Sequence, residues 1–401
     1  MSSPHPATLD YVISEPPQPS PTRAAAAATG VRFPFAFALC QIGAEAAAKA
    51  ELARCRPSYR PAFMRPGLLT WKCEPALALD DRADELAMAV FFRAFGASLG
   101  RAGSASEVAE RVQSLMASGL ALPSGLGLQV YARPGRHDDD SPRDGEAEAP
   151  FDSRIPEVTA AIVEALPALR LRPGPAQQPG ELLLDVVLPP RSQHPDAPAI
   201  APLGDEPWLL GLHRHCVGRS PHPGGRLPLR LPPEAPSRAW LKLEEGLAFG
   251  GLPLRSGQVA VEIGAAPGGA SWALLQRGLT VVGVDPGAMD PRVLQQPRFT
   301  HLQTTLAELR REALPARVDW LLLDVNLAPQ VALHGLRRLV GTLRSTLRGA
   351  LLTLKLNDWS LAAQVPRWLE QLSAMGFDEV RATQLSSNRQ EICVAAQRRL
   401  R

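Results

Sequence analysis

The chain of 401 residues has 45% apolar residues, enough for two or three buried cores. Its formal charge of +3 is too nearly balanced for net charge alone to argue for nucleic acid. Five cysteines (Cys40, Cys55, Cys73, Cys216 and Cys393) are scattered, with no CxxC pair and no metal-like spacing, so a reduced cytoplasmic setting without a metal is expected. No apolar run is long enough to span a bilayer, and the first thirty residues lack a signal peptide's charged start and apolar centre. The 43 basic residues include only four lysines, Lys49, Lys72, Lys242 and Lys355. Arg stays protonated whereas Lys can be tuned to a neutral amine, so a Lys that survives this bias marks a position where Arg cannot serve.

Residues 1–30 read as a disordered tail. Gly43 to Arg54 is Ala-rich and helix-prone. Arg54, Arg56, Arg60, Arg65 and Lys72 follow, interleaved with Tyr59, Phe63 and Trp71. Charges meet phosphate and rings stack on unpaired bases, so this mixture suits RNA; a solvated Arg-rich loop with core aromatics fits the same text. Helices are predicted over Ala83–Leu99 and Ala105–Met116, and a strand over Gly127–Tyr131. Residues 133–154 are charged and polar and read as a mobile insertion. A helix over Ile155–Ala168, a strand over Glu181–Leu188, a Pro-rich connection over 191–207 and a strand over Trp208–Val217 complete this half. It carries no catalytic signature. His213, His215, Cys216 and His222 lie close together without a fixed ligand pattern and read as a loop histidine cluster.

The second half opens with EAPSRAWLKLEEGL, where Ser237 is placed to cap a helix carrying Lys242 one turn inside. Val259, Val261 and Ile263 form an apolar strand that runs into the turn Gly264-Ala265-Ala266-Pro267-Gly268-Gly269 and then a helix. Such a turn lets a ligand approach the backbone and aims free N–H groups at it. The pattern is neither GxGxxG nor GxxxxGK[ST]. The next strand, Thr280–Val284, ends at Asp285, where a doubly wound fold grips ribose hydroxyls. Together these features point to an S-adenosylmethionine site; the bland alternative is an ordinary strand-to-helix turn. Strands and helices then alternate at 291–296, 299–302, 305–313, 318–323, 331–346, 349–354, 361–374, 378–384 and 391–396. The alternation predicts an open, mostly parallel α/β sheet, with its last two strands an antiparallel hairpin at one edge.

Asp324 ends the strand VDWLLLD and Lys355 the strand ALLTLK, so both point beyond the carboxyl ends of the sheet, where ligands bind. A helix cap for Asp324 and a surface position for Lys355 are the structural alternatives. Lys242, and Glu391 at the start of EICVAA, are weaker candidates on their own.

The stretches PSRAWLKLEE, GAAPGG, LLLDV, LLTLKL and RQEICV follow one another in the order and spacing of the RrmJ/FtsJ-like ribose 2′-O-methyltransferases. PPEAPSRAWLKLEE most resembles the RlmM type, which methylates a cytidine ribose of 23S ribosomal RNA. The resemblance covers roughly Pro232 to the C-terminus. It implies a Rossmann-like S-adenosylmethionine-dependent methyltransferase domain over 226–401 behind an N-terminal α+β THUMP-like RNA-binding domain over 31–225. It also implies a Lys242-Asp324-Lys355-Glu391 tetrad, a methionine cradle at Gly264 and Ala266–Gly269, and a ribose contact at Asp285. The implied partner is ribosomal RNA, 23S or a large-subunit precursor. Lys355 would be the general base, its amine kept neutral near working pH by the Lys242 ammonium, with the carboxylates holding both amines. The chain departs from the family at Glu262 (EIG for DLG), Thr305, Ala239 and Ala270, which implies a looser or differently built adenine pocket. The loop DVNLAP lacks the [DN]PP[YF] pattern of amino-methylating enzymes, and no Cys near Asp324 serves cytosine C5 chemistry. The hemolysin-like relatives share the tetrad but have a short S4 module in front. A non-catalytic RNA-binding assembly factor on the same scaffold is the reading from another class.

Overall fold

The computed structural model describes residues 31–79, 89–133, 152–190 and 206–399; the expected tail, and most of the expected insertion and Pro-rich connection, lie outside them. Two sheets organise these residues. The first has eight strands: β1 (Arg32–Leu39), β2 (Arg60–Arg65), β3 (Leu68–Ala78), β4 (Ala94–Ala102), β5 (Gly127–Ala132), β6 (Arg172–Pro173), β7 (Leu182–Leu188) and β8 (Trp208–Arg214). Their order is β2-β3-β1-β4-β8-β7-β5-β6. Side chains alternate between its faces. On one face Ala36, Ala38, Trp71, Ala97, Leu184 and Leu210 pack against α1 (Glu45–Cys55), α2 (Ala105–Ala117) and α3 (Arg154–Ala165). The other face holds a separate cluster of Phe37, Leu39, Leu68, Tyr131, Val187 and Leu209, all on strands. Phe37 reaches across the sheet because residue 211 is Gly: a Cβ there would stand 2.2 Å from the ring.

The expected helix over Ala83–Leu99 is not formed where it can be seen. Ala94–Ala102 is strand β4, paired with both β1 and β8. Its text, AFGASLGRA, has neither β-branched residues nor a period, and pairing on both edges decides the outcome. His213 lies on β8 rather than in a loop. Its Nδ1 sits 2.5 Å from Asp185 Oδ2, and Asp185 Oδ1 also accepts the Tyr131 hydroxyl at 3.1 Å. Burial, then the charge of His213, pushes His215 down to about 4.

The second sheet runs β11 (Phe299–Leu302), β10 (Thr280–Val284), β9 (Val259–Ile263), β12 (Trp320–Asp324), β13 (Gly349–Lys355), β15 (Glu391–Gln397), β14 (Glu379–Thr383). The first five are parallel, and β15 is antiparallel to both its neighbours, as the hairpin reading expects. One face packs on α4 (Ala239–Gly250) and α5 (Gly269–Gln276), the other on α7 (Pro329–Thr342) and α8 (Val365–Ala374). A short α6 (Pro291–Leu294) precedes β11. The helix expected over 305–313 is a turn followed by a 3-10 helix at Arg311–Ala313. The Leu306, Ala307 and Leu309 carbonyls are bound instead by the Arg338 guanidinium.

The segment Ala89–Arg93 joins the two sheets. Glu51 on α1 accepts from the Val90 N–H at 2.7 Å and the Phe91 N–H at 3.0 Å. Arg219 donates to the Ala89 and Phe92 carbonyls and to Thr383 Oγ1. From the second sheet's side, the Gln384 N–H donates to the Val90 carbonyl at 2.8 Å. The Phe91 ring meets Trp359 edge-on at 6.3 Å. Glu51→Leu strips two buried N–H groups of their acceptor and removes a carboxylate whose charge favours the buried Arg219 guanidinium. It should lower stability by about 2–4 kcal/mol, read as the urea midpoint of the full chain.

Candidate active site

Gly264 follows β9 directly and has φ +86°; a Cβ there would stand 2.1 Å from the Asp324 carbonyl oxygen. The turn therefore presses against the end of β12, where sheet order reverses around β9, the place at which open α/β sheets bind ligands. Gly268, at φ +117°, precedes α5, whose first turn is capped by no side chain. At Gly269 a Cβ would meet Ser237 Oγ at 2.4 Å, so the turn packs on the start of α4. Ser237 Oγ accepts the Ala239 N–H at 3.3 Å, but it is not the cap expected from the sequence: Arg238 stands at the N-cap and no side chain caps the helix.

Parallel strands deliver Asp324 and Lys355 to one edge of the sheet. β15 runs the other way, so its first residue reaches that same edge, and Glu391 is the direct register partner of Lys355. α4 brings Lys242 over them. The four side chains alternate in sign around a closed ring. Lys242 Nζ is 2.6 Å from Glu391 Oε1 and 3.3 Å from Asp324 Oδ2. Lys355 Nζ is 2.5 Å from Glu391 Oε2 and 3.0 Å from Asp324 Oδ1.

The protonation of Lys355 differs from the expected one. Burial alone pulls its ammonium down, but the Asp324 and Glu391 carboxylates outweigh burial and hold it above the ordinary lysine value. The amine is therefore an ammonium in the free chain, and Lys242 does not make it neutral. Two carboxylates touch it within 3.0 Å, whereas the like charge acts from across the ring.

Two residues that sequence reading passed over set the ring's geometry. Asn388 Nδ2 donates to Glu391 Oε1 at 3.2 Å, and Asn388 Oδ1 accepts the Leu385 N–H at 2.9 Å. Glu245, three residues beyond Lys242 and so on the same helix face, accepts from the Ser386 N–H and hydroxyl and from the Ser387 N–H, at 2.6–2.8 Å. The spacing of Glu245 from Lys242 was the available signal.

Asp285 directly follows β10, at the strand's tip as expected. Its Oδ2 accepts the Ala266 N–H at 3.1 Å and its Oδ1 the Gly287 N–H at 2.7 Å, which aims the carboxylate along the turn. Of the unusual positions, Thr305 donates its hydroxyl to Glu308 at 2.9 Å, and Ala239 and Ala270 belong to the apolar cluster beneath α4 and α5. Glu262 is buried and accepts the Ser271 hydroxyl at 2.5 Å. Burial first, then the charges of Asp324 and Asp285, push it up to about 8.

The residues singled out for RNA are split. Arg54 is exposed in the last turn of α1, and Arg56 follows that helix. Arg60 and Lys72 are cross-strand partners on β2 and β3. Arg65 pairs with Glu206 at 3.1 Å. Of the interleaved rings, Tyr59 and Trp71 are core, and only Phe63 faces solvent in part.

Residues 235–355 match the family model of the FtsJ-like methyltransferases. The Ribosomal RNA large subunit methyltransferase M of Halorhodospira halophila is 37% identical over 195 residues, covering 46% of this chain and 55% of that protein. The protein of the same name from Methylococcus capsulatus is 38% identical over 185 residues, covering 43% of this chain and 50% of that one. The chain thus spans about half the length of the curated relatives it matches. Among solved structures, TrmN from Thermus thermophilus covers 90% of this chain and 99% of that one at 15% identity, but its TM-score of 0.31 is too low to carry an argument.

Between about pH 4.5 and 8 the folded chain keeps the Glu262 proton and the unfolded chain loses it, so stability falls as pH rises through that window and levels off above it. Glu262→Gln keeps an acceptor for Ser271 without the charge. Urea midpoints at pH 5 and pH 8 should differ for the wild type by more than ~1 kcal/mol relative to the variant.

Proposed function

We propose that this chain, whose residues 235–355 form an FtsJ-like methyltransferase domain, is an S-adenosylmethionine-dependent ribose 2′-O-methyltransferase of ribosomal RNA. The carrying observation is the alternating ring of Lys242, Asp324, Lys355 and Glu391 at the crevice beside the Gly-rich turn. Large-subunit RNA is the favoured substrate because the relatives carry that name, and a cytidine of 23S RNA is the favoured nucleoside from the likeness to the RlmM type. Residues 31–225 are proposed as a THUMP-like RNA-binding domain acting in the cytoplasm.

The Gly-rich turn supports the reading that S-adenosylmethionine is the cofactor. The turn has no side chain at Gly264, Gly268 or Gly269, α5 begins there without a side-chain cap, and Asp285 is aimed along it. The backbone of Gly264 and Ala266–Gly269, with Pro267, would hold the methionine part and Asp285 the ribose. When bound, the cofactor supplies an electrophilic methyl on a sulfonium.

The chain's task is to take the proton from a ribose hydroxyl. Both amines are held by the same two carboxylates, and Lys355 Nζ is taken as the base from the family resemblance, its contacts of 2.5 and 3.0 Å being slightly shorter than the 2.6 and 3.3 Å of Lys242. Because those carboxylates hold Lys355 as an ammonium, it must first release that proton. Asp324 and Glu391 bridge both amines, so a proton lost from one leaves the other's charge to balance the carboxylates. Positioning supplies a further share of the rate.

Lys355→Arg keeps the positive charge but removes the base. Methyl transfer should fall by about 10²–10⁴ while S-adenosylmethionine affinity, measured by calorimetry, holds. Turnover near wild type would remove Lys355 as base. A chain that binds RNA but not the cofactor would be an assembly factor instead.

The rate should rise with pH on the alkaline side as the Lys355 ammonium loses its proton. Glu391→Gln removes one carboxylate that holds that proton. Its pH–rate profile should therefore reach half-maximum at lower pH, with a lower plateau.

A further inference from the structure

A cavity of about 320 Å³ lies away from the tetrad, on the face of the first sheet opposite its helices. The Phe63 ring forms its floor, with the Arg65 guanidinium 4.4 Å from the ring centroid and that of Arg101 at 4.1 Å. Arg133 lies at the base, its side chain 6% exposed; it donates to Glu206 at 2.5 Å and to the Pro66 carbonyl at 3.3 Å. Arg65 shares Glu206. Two guanidiniums thus share one carboxylate while a third, that of Arg101, lines the same cavity, which keeps a net positive charge.

The same face continues outward. Phe35, two residues before Phe37, is 40% exposed. Its cross-strand partner is Lys72, and the partner of Lys72 on the far side is Arg60. Cross-strand partners share a face. An exposed ring therefore stands beside two cations, next to a half-buried ring between two guanidiniums. Thr70, between the two sites on β3, ties them together by accepting the Phe63 N–H at 2.9 Å.

We propose that this face, which carries no α-helix among the described residues, binds single-stranded RNA, with one nucleotide seated in the Phe63–Arg101–Arg133 cavity. The inference rests on the RNA-substrate reading above and adds to it a location and a strand form. A flat sheet with rings between cations takes unstacked bases, which stack on aromatic and guanidinium planes alike. A duplex offers only its grooves and phosphates to such a face. Arg101, exposed over Phe63, presents the outer plane for the base. Arg65 and Arg133 face the phosphate, and Glu206 holds both in place while competing with it. A cavity of about 320 Å³ is at the small end of ligand sites and suits one nucleotide.

The test uses the full chain and a short fluorescein-labelled single-stranded oligoribonucleotide, read by fluorescence anisotropy across a salt series without cofactor. Arg101→Gln, at an exposed position, should weaken binding about tenfold and lower the salt slope by about one. Phe35→Ser should weaken it by a similar factor. Glu206→Gln should tighten it roughly threefold by removing the competing carboxylate. Unchanged affinity in both Arg101→Gln and Glu206→Gln overturns the proposal. So does equal binding of the same sequence as a duplex, or equal binding of an acidic peptide of matched charge. S-adenosylmethionine affinity, measured on the same variants, should not move. Loss of the RNA effect with intact cofactor binding sinks this face alone, whereas a wild type that binds RNA here but no cofactor sinks the methyltransferase reading alone.

Discussion

Two ammonium groups and two carboxylates can share a half-buried crevice only as a set. Taking each ion out of water costs several kcal/mol, and only close contact with opposite charge offsets it. In the ring of Lys242, Asp324, Lys355 and Glu391 every amine touches both carboxylates. Deleting one carboxylate would leave two cations sharing the other. The fold is therefore constrained to deliver four side chains from four elements to one small volume. It does so through sheet register, through a reversed strand whose beginning lies where its neighbours end, and through α4 laid across them.

Much of that delivery is legible in the text. A charge at the tip of an otherwise apolar strand, as at Asp324 and Lys355, has no packing reason to be there, and parallel alternation puts both tips on one side. Glu391 was harder, because its place depends on β15 running against its neighbours. The resemblance to a family supplied that, and register confirms the adjacency of Lys355 and Glu391. The protonation of Lys355 was misjudged for a physical reason. The sequence shows two lysines and invites like-charge repulsion, but distances decide, and both carboxylates are nearer. Asn388 and Glu245 escaped notice because most of their partners are backbone groups, and those of Glu245 are brought close only by folding.

The first half was less readable. β4 is written in Ala, Gly and Ser, and its identity comes from two neighbouring strands rather than from its own residues. The basic and aromatic mixture between Arg54 and Lys72 reads as one segment, yet folding divides it. Tyr59 and Trp71 go inward, Phe63 and Arg65 go to the open face, and Arg101 on β4 and Arg133 just after β5 join them from far along the chain. A surface assembled from four strands has no contiguous signature.

The seam at Phe91 bears on how the protein could be taken apart. A cut between the sheets would bare the Trp359 ring and leave the Gln384 N–H without the Val90 carbonyl. Each fragment would carry an apolar scar and a severed hydrogen bond. Trp359 and Gln384 stand on the stretches that follow Lys355 and precede Glu391, so the scar would fall on the same loops that frame the ring. The two halves are thus a poor choice for grafting onto other scaffolds: what looks modular in outline is, at this junction, a single piece of masonry.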